Sequence, residues 1–340
     1  MLELLEELVK TPGMSGYEGP IREKINEKVK KFGKTSIDGI GNLLLTIGEG
    51  KTHVAFVAHM DELGAVVSHI EESGMLRIRK LSMDDRSLSG RIYNIYTKKG
   101  PVKGVIGIKA PHLVTDPEES KKVIPAEKLY LDVGARGKGE VERMGIRVLD
   151  PIILQKDFNI INKKIVTARG LDNRVGCAAL IEVLNAMGGK KLKCKLTFAW
   201  SVQEEIGLRG ATVISRNMKP DFVFAIDTFS TADSPDAPTH YSPVYLGKGP
   251  VLRMIDNRAI ASHELAETVT EIAKKNKIPV QMGVTGGTTD GAAMQESGAV
   301  TLPIGAPMRY THSPTEFVHI DDMHNLVKLL LKLIDYYGRK

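Results

Sequence analysis

Residues 198 to 210 read Phe-Ala-Trp-Ser-Val-Gln-Glu-Glu-Ile-Gly-Leu-Arg-Gly, an apolar run that ends in two adjacent carboxylates. Large apolar side chains alternate with small or β-branched ones, which predicts a buried strand over residues 196–202. Glu204 and Glu205 then follow the carboxyl end of that strand, the edge at which open α/β sheets bind ligands. An isolated pair of this kind is usually solvated at a surface, whereas two buried carboxylates need a cation or a shared proton.

Four further apolar runs each lead to a side chain that can bind a metal. In chain order, the runs at 54–58, 164–168, 222–226 and 300–304 lead to His59, Asp172, Asp227 and His312, and Asp61 lies just beyond His59. A single histidine beside a strand is usually structural. Two histidines, two aspartates and the glutamate pair, all at strand exits, instead predict a metal centre at one edge of a sheet.

Length and composition indicate a globular chain with a large core. It has 340 residues, of which 42% are hydrophobic and 26% charged, and this length suits two domains. No apolar run approaches the ~20 residues of a membrane span, so no membrane partner is expected. Residues 1–7 lack the basic start of a secretory signal, and the two cysteines lack disulfide or zinc-site spacing. These features predict a cytoplasmic protein.

The net charge of +6 does not predict a nucleic-acid partner. The lysines occur in short groups interleaved with acidic residues, without aromatic platforms or a recognisable nucleic-acid-binding motif. Solvated charged faces account for this pattern.

The pattern of elements predicts an α/β domain that is interrupted by a β insertion. Helices are expected at 2–10 and 19–32, and strands at 42–47 and 53–59. From about residue 64, short strand-like pieces separated by glycine, proline and polar turns are typical of a small barrel or sandwich. From about residue 163, strands alternate again with helices, which indicates a parallel or mixed sheet covered on both faces. The predicted domains are therefore 1–64 with 163–340, and the inserted 65–162.

The set of ligand candidates predicts chemistry at a pair of metal ions. Such a pair needs a bridging carboxylate and terminal ligands on each side, and oxygen and imidazole donors favour zinc, cobalt or manganese. Asp172 is the natural bridge, because it lies at the mouth of a helix. One of the two adjacent glutamates can bind metal while the other moves a proton. Asp61 is placed to accept the second N–H of His59 and to fix its tautomer.

Five motifs together carry a family resemblance. They are Ala58-His59-Met60-Asp61-Glu62, Gly170-Leu171-Asp172-Asn173-Arg174, Gln203-Glu204-Glu205-Ile206-Gly207-Leu208-Arg209-Gly210, Ile226-Asp227 and Tyr310-Thr311-His312-Ser313-Pro314. In this order they resemble the signature of the dinuclear metallo-aminopeptidases of peptidase family forty-two, which include the tetrahedral (TET), deblocking and glutamyl enzymes. One departure is the loop Gly286-Gly287-Thr288-Thr289-Asp290, where the family usually has Gly-Gly-Thr-Asp.

The resemblance implies roles for individual residues. One metal would be held by His59, Asp172 and Asp227, and the other by Asp172, Glu205 and His312. Glu204 would be the general base, and Asp61 would orient His59. The two ions per subunit would be Zn²⁺ or Co²⁺, and their bridging hydroxide would cleave the N-terminal residue from short peptides.

The resemblance also implies an architecture. The catalytic domain would be a phosphorylase/hydrolase-like three-layer α/β fold, the insertion a β-barrel dimerisation domain, and the assembly a homo-oligomer in which dimers form a tetrahedral dodecamer. Two alternatives stay open. The same metal ligands suit a related hydrolase that removes an acyl group or a C-terminal residue, and a non-catalytic scaffold could keep the fold.

Overall fold

The computed structural model describes residues 1–190, 192–235 and 237–339 of the chain. Its internal contacts divide the chain into two compact units. The first unit comprises Met1–Glu62, Asp157–Thr311 and Thr315–Lys340, and the second comprises Leu63–Lys156 and His312–Pro314. None of the helices in the described part of the chain combines the length and apolarity that a membrane crossing requires.

The N-terminal part of the first unit has two helices and three strands. In chain order they are α1 (Leu2–Lys10), α2 (Gly19–Val29), β1 (Thr35–Ile37), β2 (Leu43–Ile47) and β3 (His53–His59). Proline in the first turn of α2 suits a helix start, because its missing N–H would have no partner there. Every residue of β3 is buried, as the continuous apolar sequence predicts for a central strand.

The second unit is built around a closed barrel of six strands. Its elements are β4 (Gly64–Ile70), β5 (Leu76–Leu81), β6 (Arg91–Thr97), β7 (Gly100–Ile106), β8 (Leu131–Asp132), α3 (Lys138–Met144) and β9 (Pro151–Leu154). The strands close in the order β4-β5-β8-β7-β6-β9. Alternate residues such as Ala65, Val67, Ile95 and Ile152 point inward and form a separate hydrophobic core.

Strands and helices alternate through the rest of the chain. They are β10 (Asn159–Ile161), β11 (Ile165–Ala168), α4 (Leu171–Met187), β12 (Lys195–Ser201), α5 (Arg209–Asn217), β13 (Phe222–Ser230), β14 (Val251–Ile255), α6 (His263–Lys275), β15 (Gln281–Val284), α7 (Asp290–Gln295), β16 (Val300–Thr301), β17 (Ile304–Arg309), β18 (Glu316–His319) and α8 (Ile320–Tyr337).

The first unit contains a mixed sheet of twelve strands. Its main path runs β1-β2-β12-β3-β13-β17-β18-β11-β10, while β14, β15 and β16 pair beside it. The central strand β3 is parallel to both of its neighbours, β12 and β13. The carboxyl ends of these three strands therefore lie at one edge of the sheet.

Helices cover both faces of the sheet. On β3, Phe56 belongs to the core that includes residues of α1, α2, α4 and α8. Its neighbour Val57 belongs to the opposite core, which includes Ile214 of α5 and Met294 of α7. Since successive side chains of a strand point to opposite faces, β3 separates two hydrophobic layers. The predicted three-layer α/β fold with a small β-barrel is confirmed.

The end of the predicted insertion differs from the observed division of the chain. The sequence assigned residues through 162 to the insertion, but β10 pairs antiparallel with β11 in the large sheet. Residues Asp157–Thr311, which include β10, accordingly belong to the first unit. The role of the second unit in dimerisation stays a prediction.

Candidate metal centre

Neighbouring strand ends and a helix start bring the predicted ligands together. His59 is the last residue of β3, and it is in register with Ser201 at the end of β12. On the other side of β3, Asp227 lies two residues beyond the registered pair of Ala225 and Val57. Asp172 lies at the start of α4, where its backbone is not helical, with ψ at 107°.

His59, Asp172 and Asp227 form a compact buried group. The His59 Nε2 atom is 3.3 Å from Asp172 Oδ1 and 3.6 Å from Asp227 Oδ1. One potential ligand atom from each side chain lies within 4.8 Å of the other two. The three residues are at most 7% exposed.

This group fits a divalent metal ion. Two ligands at ~2.0–2.1 Å from a tetrahedral zinc ion are about 3.3–3.4 Å apart, which is close to the distances from His59 Nε2 to the two aspartates. One imidazole nitrogen and two carboxylates are ligands that zinc, cobalt and manganese accept.

The electrostatics of His59 also indicate a cation. Burial lowers the pKa of His59, but the charge of Glu204 and the carboxylates of Asp172, Asp227 and Asp61 raise that pKa well above its ordinary value. The surrounding acids therefore outweigh the desolvation of the imidazolium. A divalent ion would compensate the same negative charge and leave the imidazole neutral as a ligand.

A second group of side chains that could hold a metal ion consists of Asp172, Glu205 and His312. Asp172 is the member common to both groups, which is what a bridging carboxylate requires. His312 lies after β17 in a left-handed backbone conformation, with φ at 64°. Glu205 is partly buried just after β12.

Asp61 connects His59 to the glutamate pair. Its Oδ1 atom is 3.5 Å from His59 Nδ1, and its backbone carbonyl oxygen is 3.2 Å from the same nitrogen. The carboxylate also accepts the backbone N–H groups of Glu204 at 3.0 Å and Glu205 at 3.3 Å. Burial raises the pKa of Asp61, but the contacts of its carboxylate with His59 and Ser15 lower that pKa by a larger amount. The net pKa lies below its ordinary value, so the Asp61 carboxyl group stays ionised.

Glu204 lies in an environment that raises its pKa. Burial raises its pKa, the charge of His59 lowers it, and Asp227, Glu205 and Asp290 raise it again, so that the result is well above the ordinary value. A carboxyl group with a raised pKa can hold a proton near neutral pH.

Arg174 and Tyr310, which belong to two of the five motifs, differ in exposure. Arg174 is fully buried, and it donates to the carbonyl oxygen of Met60 and to Glu62 Oε1, the latter at 3.2 Å. It therefore packs the turn after β3 and does not face substrate. Tyr310 is 45% exposed and contacts the ring of Phe317 edge-on.

Sequence reasoning missed two buried acids near the glutamate pair. Asp290 of the Gly-Gly-Thr-Thr-Asp loop accepts the hydroxyl of Ser201, and burial raises its pKa to about 7. Glu18 accepts the backbone N–H of Gln203 at 3.2 Å. The departure from the family pattern indicates the loop that contains Asp290. Glu18 gives no such signal, because a carboxylate beside Gly19 and Pro20 looks like an ordinary helix start.

Comparisons with known proteins identify the family of the chain. The family model described as M42 glutamyl aminopeptidase matches residues 41–329. The lysyl aminopeptidase of Pyrococcus furiosus is 32% identical, over 98% of this chain and 96% of the relative. The glutamyl aminopeptidase of Lactococcus lactis is 29% identical, over 95% of this chain and 92% of the relative.

Solved structures give the same result. A structure of the Pyrococcus horikoshii TET1 peptidase, which can assemble into a tetrahedron or a large octahedral shell, is 42% identical with a TM-score of 0.92. The match covers 98% of both chains. Since the family model and these relatives cover nearly the whole sequence, the chain is an aminopeptidase and belongs to the M42 glutamyl aminopeptidase family.

Proposed function

We propose that this aminopeptidase uses two divalent ions, Zn²⁺ or Co²⁺, to remove the N-terminal residue from short peptides. His59, Asp172 and Asp227 hold one ion, and Asp172, Glu205 and His312 hold the other. The observation that carries this proposal is the buried group around His59, whose spacing and excess negative charge suit a cation.

Bound ions of this kind supply Lewis acidity to the scissile carbonyl and to the attacking water. Glu204 then acts as the general base. Its carboxylate accepts one proton from the water as the new C–O bond forms, and it returns that proton to the amine as the C–N bond breaks. The position of Glu204 supports this role, because its backbone N–H donates to Asp61 beside the proposed ligands His59 and Glu205.

Asp61 contributes by orientation. Its carboxylate and backbone carbonyl oxygens both lie near His59 Nδ1, so a proton on Nδ1 leaves Nε2 free to bind metal. The same carboxylate accepts hydrogen bonds from the backbone N–H groups of Glu204 and Glu205. Asp61 therefore fixes the position of the proposed base relative to His59.

Assembly and location are further parts of the proposal. The TET1 peptidase of Pyrococcus horikoshii forms closed shells, and an assembly of dimers into a tetrahedral dodecamer is proposed here by similarity. A cytoplasmic location is also proposed, since Cys177 and Cys194 are buried free thiols that suit a reducing compartment.

Glu204→Gln tests the base directly, because glutamine keeps the size of the side chain but cannot accept the proton. We expect kcat on an aminoacyl chromogenic substrate to fall about 10²- to 10⁴-fold while the metal content stays unchanged. Glu23→Gln, at an exposed position of α2, is the matched control. Full activity of Glu204→Gln would refute the role of the base.

The substrate class requires a second assay. A peptide with a free α-amine should lose its N-terminal residue, while its acetylated counterpart should remain intact. Release of the acetyl group or of the C-terminal residue would favour the related deacylase or carboxypeptidase. Activity that persists unchanged after complete chelation of metal would exclude the metal mechanism.

A further inference from the structure

The loop between α1 and α2, residues 11–18, lies against the turn that carries the glutamate pair. We infer that two residues of this loop, Ser15 and Glu18, are positioning residues that fix the direction of Glu204, an inference that rests on the proposed role of Glu204. Both side chains act through backbone or carboxylate partners and bind no metal in the proposed mechanism.

The turn itself presents three consecutive amides to two buried carboxylates. Gln203 donates its N–H to Glu18 Oε1 at 3.2 Å, and Glu204 and Glu205 donate theirs to Asp61 at 3.0 and 3.3 Å. Successive N–H groups that point to one side form a concavity that binds anions. Side chains of the protein itself occupy this concavity.

The backbone of the turn needs such support. Gln203 has φ at 55°, in the left-handed region that non-glycine residues adopt only at a cost of roughly 1–3 kcal/mol. The bond from its amide to Glu18 holds this conformation directly before Glu204. A change at Gln203 would rotate the peptide that follows and displace the Glu204 carboxylate.

Glu18 connects the loop to the turn through one oxygen atom. Oε1 accepts the N–H of Gly16 at 2.8 Å as well as that of Gln203, and the residue is only 5% exposed. Burial raises the pKa of Glu18 to about 7, so the fold keeps a carboxyl group here at an electrostatic cost. A role in shaping the loop alone would not require contact with Gln203.

Ser15 supports the other carboxylate. Its hydroxyl donates to Asp61 Oδ2 at 2.6 Å, the oxygen that also accepts the amide of Glu205. The backbone of the loop is fixed beside it, since Ser15 N–H donates to Glu62 O at 3.1 Å and Glu62 N–H to Gly13 O at 3.0 Å. Ser15 therefore orients Asp61 from a fixed position.

The test compares alanine and conservative variants of the metal-loaded enzyme. Glu18→Ala leaves the amides of Gly16 and Gln203 without their acceptor, and we expect kcat to fall about 10- to 100-fold with KM and metal content close to wild type. Glu18→Gln keeps an oxygen that can accept both amides, and it should restore kcat to within about threefold of wild type. Glu23→Ala, on the exposed face of α2, is the control.

Ser15→Ala gives a second, milder measurement, with Ser36→Ala at an exposed position of β1 as its control. It removes one of the three hydrogen bonds to the Asp61 carboxylate, and kcat should fall about 3- to 10-fold. If Glu18→Ala does not fold, the kcat of Ser15→Ala alone tests whether the loop positions Glu204.

Wild-type kcat in both alanine variants would overturn the inference, as would a loss of activity that only follows loss of metal or of folded protein. A failure of the proposed function would give a different result from a failure of this inference. In that case Glu204→Gln itself would retain activity, whatever the variants of the loop show.

Discussion

Asp61→Asn is expected to lower stability, metal affinity and kcat together, because the Asp61 carboxylate accepts hydrogen bonds from three donors. Its carboxylate accepts the hydroxyl of Ser15 and the amides of Glu204 and Glu205. In either orientation, the amide nitrogen of asparagine faces at least one backbone N–H. One buried donor is then left without an acceptor, which costs about 1–3 kcal/mol of the free energy of unfolding.

The same substitution weakens the support of His59. The carboxylate Oδ1 lies 3.5 Å from His59 Nδ1, and loss of a partner of this kind typically lowers metal affinity 10- to 100-fold. Since the backbone oxygen of Asp61 remains near the same nitrogen, we expect the lower end, about tenfold. The value of kcat should fall as well, because the amide of Glu204 loses its acceptor.

Asp322→Asn is a matched control for this experiment. Asp322 is also fully buried and also accepts two backbone amides, those of Gly247 at 2.6 Å and Gly249 at 2.7 Å. Denaturant unfolding of the metal-free proteins should show a similar loss of stability in both variants. Competition with a chelator should show weaker metal binding only for Asp61→Asn, and equal affinities of that variant and wild type would refute the reasoning.

Two further predictions concern stability. Burial, and then the charge of Lys195, lower the pKa of His53 to about 4 from 6.5, so the folded state binds fewer protons than the unfolded state between these values. Stability should therefore fall as the pH drops from 7 to 4, by up to about 3 kcal/mol, and His53→Gln should lose most of this dependence while the exposed His112→Gln keeps it. Phe56 stacks between Phe198 and Phe224 at centroid distances of 5.5 and 5.4 Å. Phe56→Ala should cost about 3–5 kcal/mol in denaturant unfolding, and a loss below 1 kcal/mol would contradict the packing described here.

Much of the fold could be predicted because its central strands are continuous apolar runs. The bounds of β3 agree with the sequence expectation of a strand at 53–59, since burial on both sides leaves a hydrophobic pattern that is easy to recognise. Short or exposed elements were harder to predict from the sequence. Every residue of β10 is exposed, so the pattern could not separate it from the insertion.

The candidate ligands could be predicted from the sequence because each follows a strand. The side chains that hydrogen-bond to these ligands or to their neighbours could not be predicted. Asp61 and Glu204 are separated by 143 positions, and only the parallel pairing of β3 with β12 brings them together. Glu18 and Asp290 carry no local sign of burial. Their positions depend on how the loops fold, which hydrophobic periodicity does not determine.

The structure also explains why the start of α4 is a suitable place for a shared ligand. Asp172 departs from helical geometry, and its backbone N–H is 3.3 Å from Glu316 Oε2. Arg169 pairs with the other oxygen of Glu316 at 3.0 Å. The segment that carries Asp172 is thus anchored from β18, which the sequence alone did not indicate.

Metal titration of the stripped enzyme tests the central claim most directly. Zn²⁺ or Co²⁺ would be added back in steps while aminopeptidase activity and bound metal per chain are measured on the same samples. The proposed ligand sets predict that activity returns fully at two bound ions per chain, and that Asp172→Ala prevents binding of both. Full activity with no bound ion, or an Asp172→Ala enzyme that still binds two, would contradict the account.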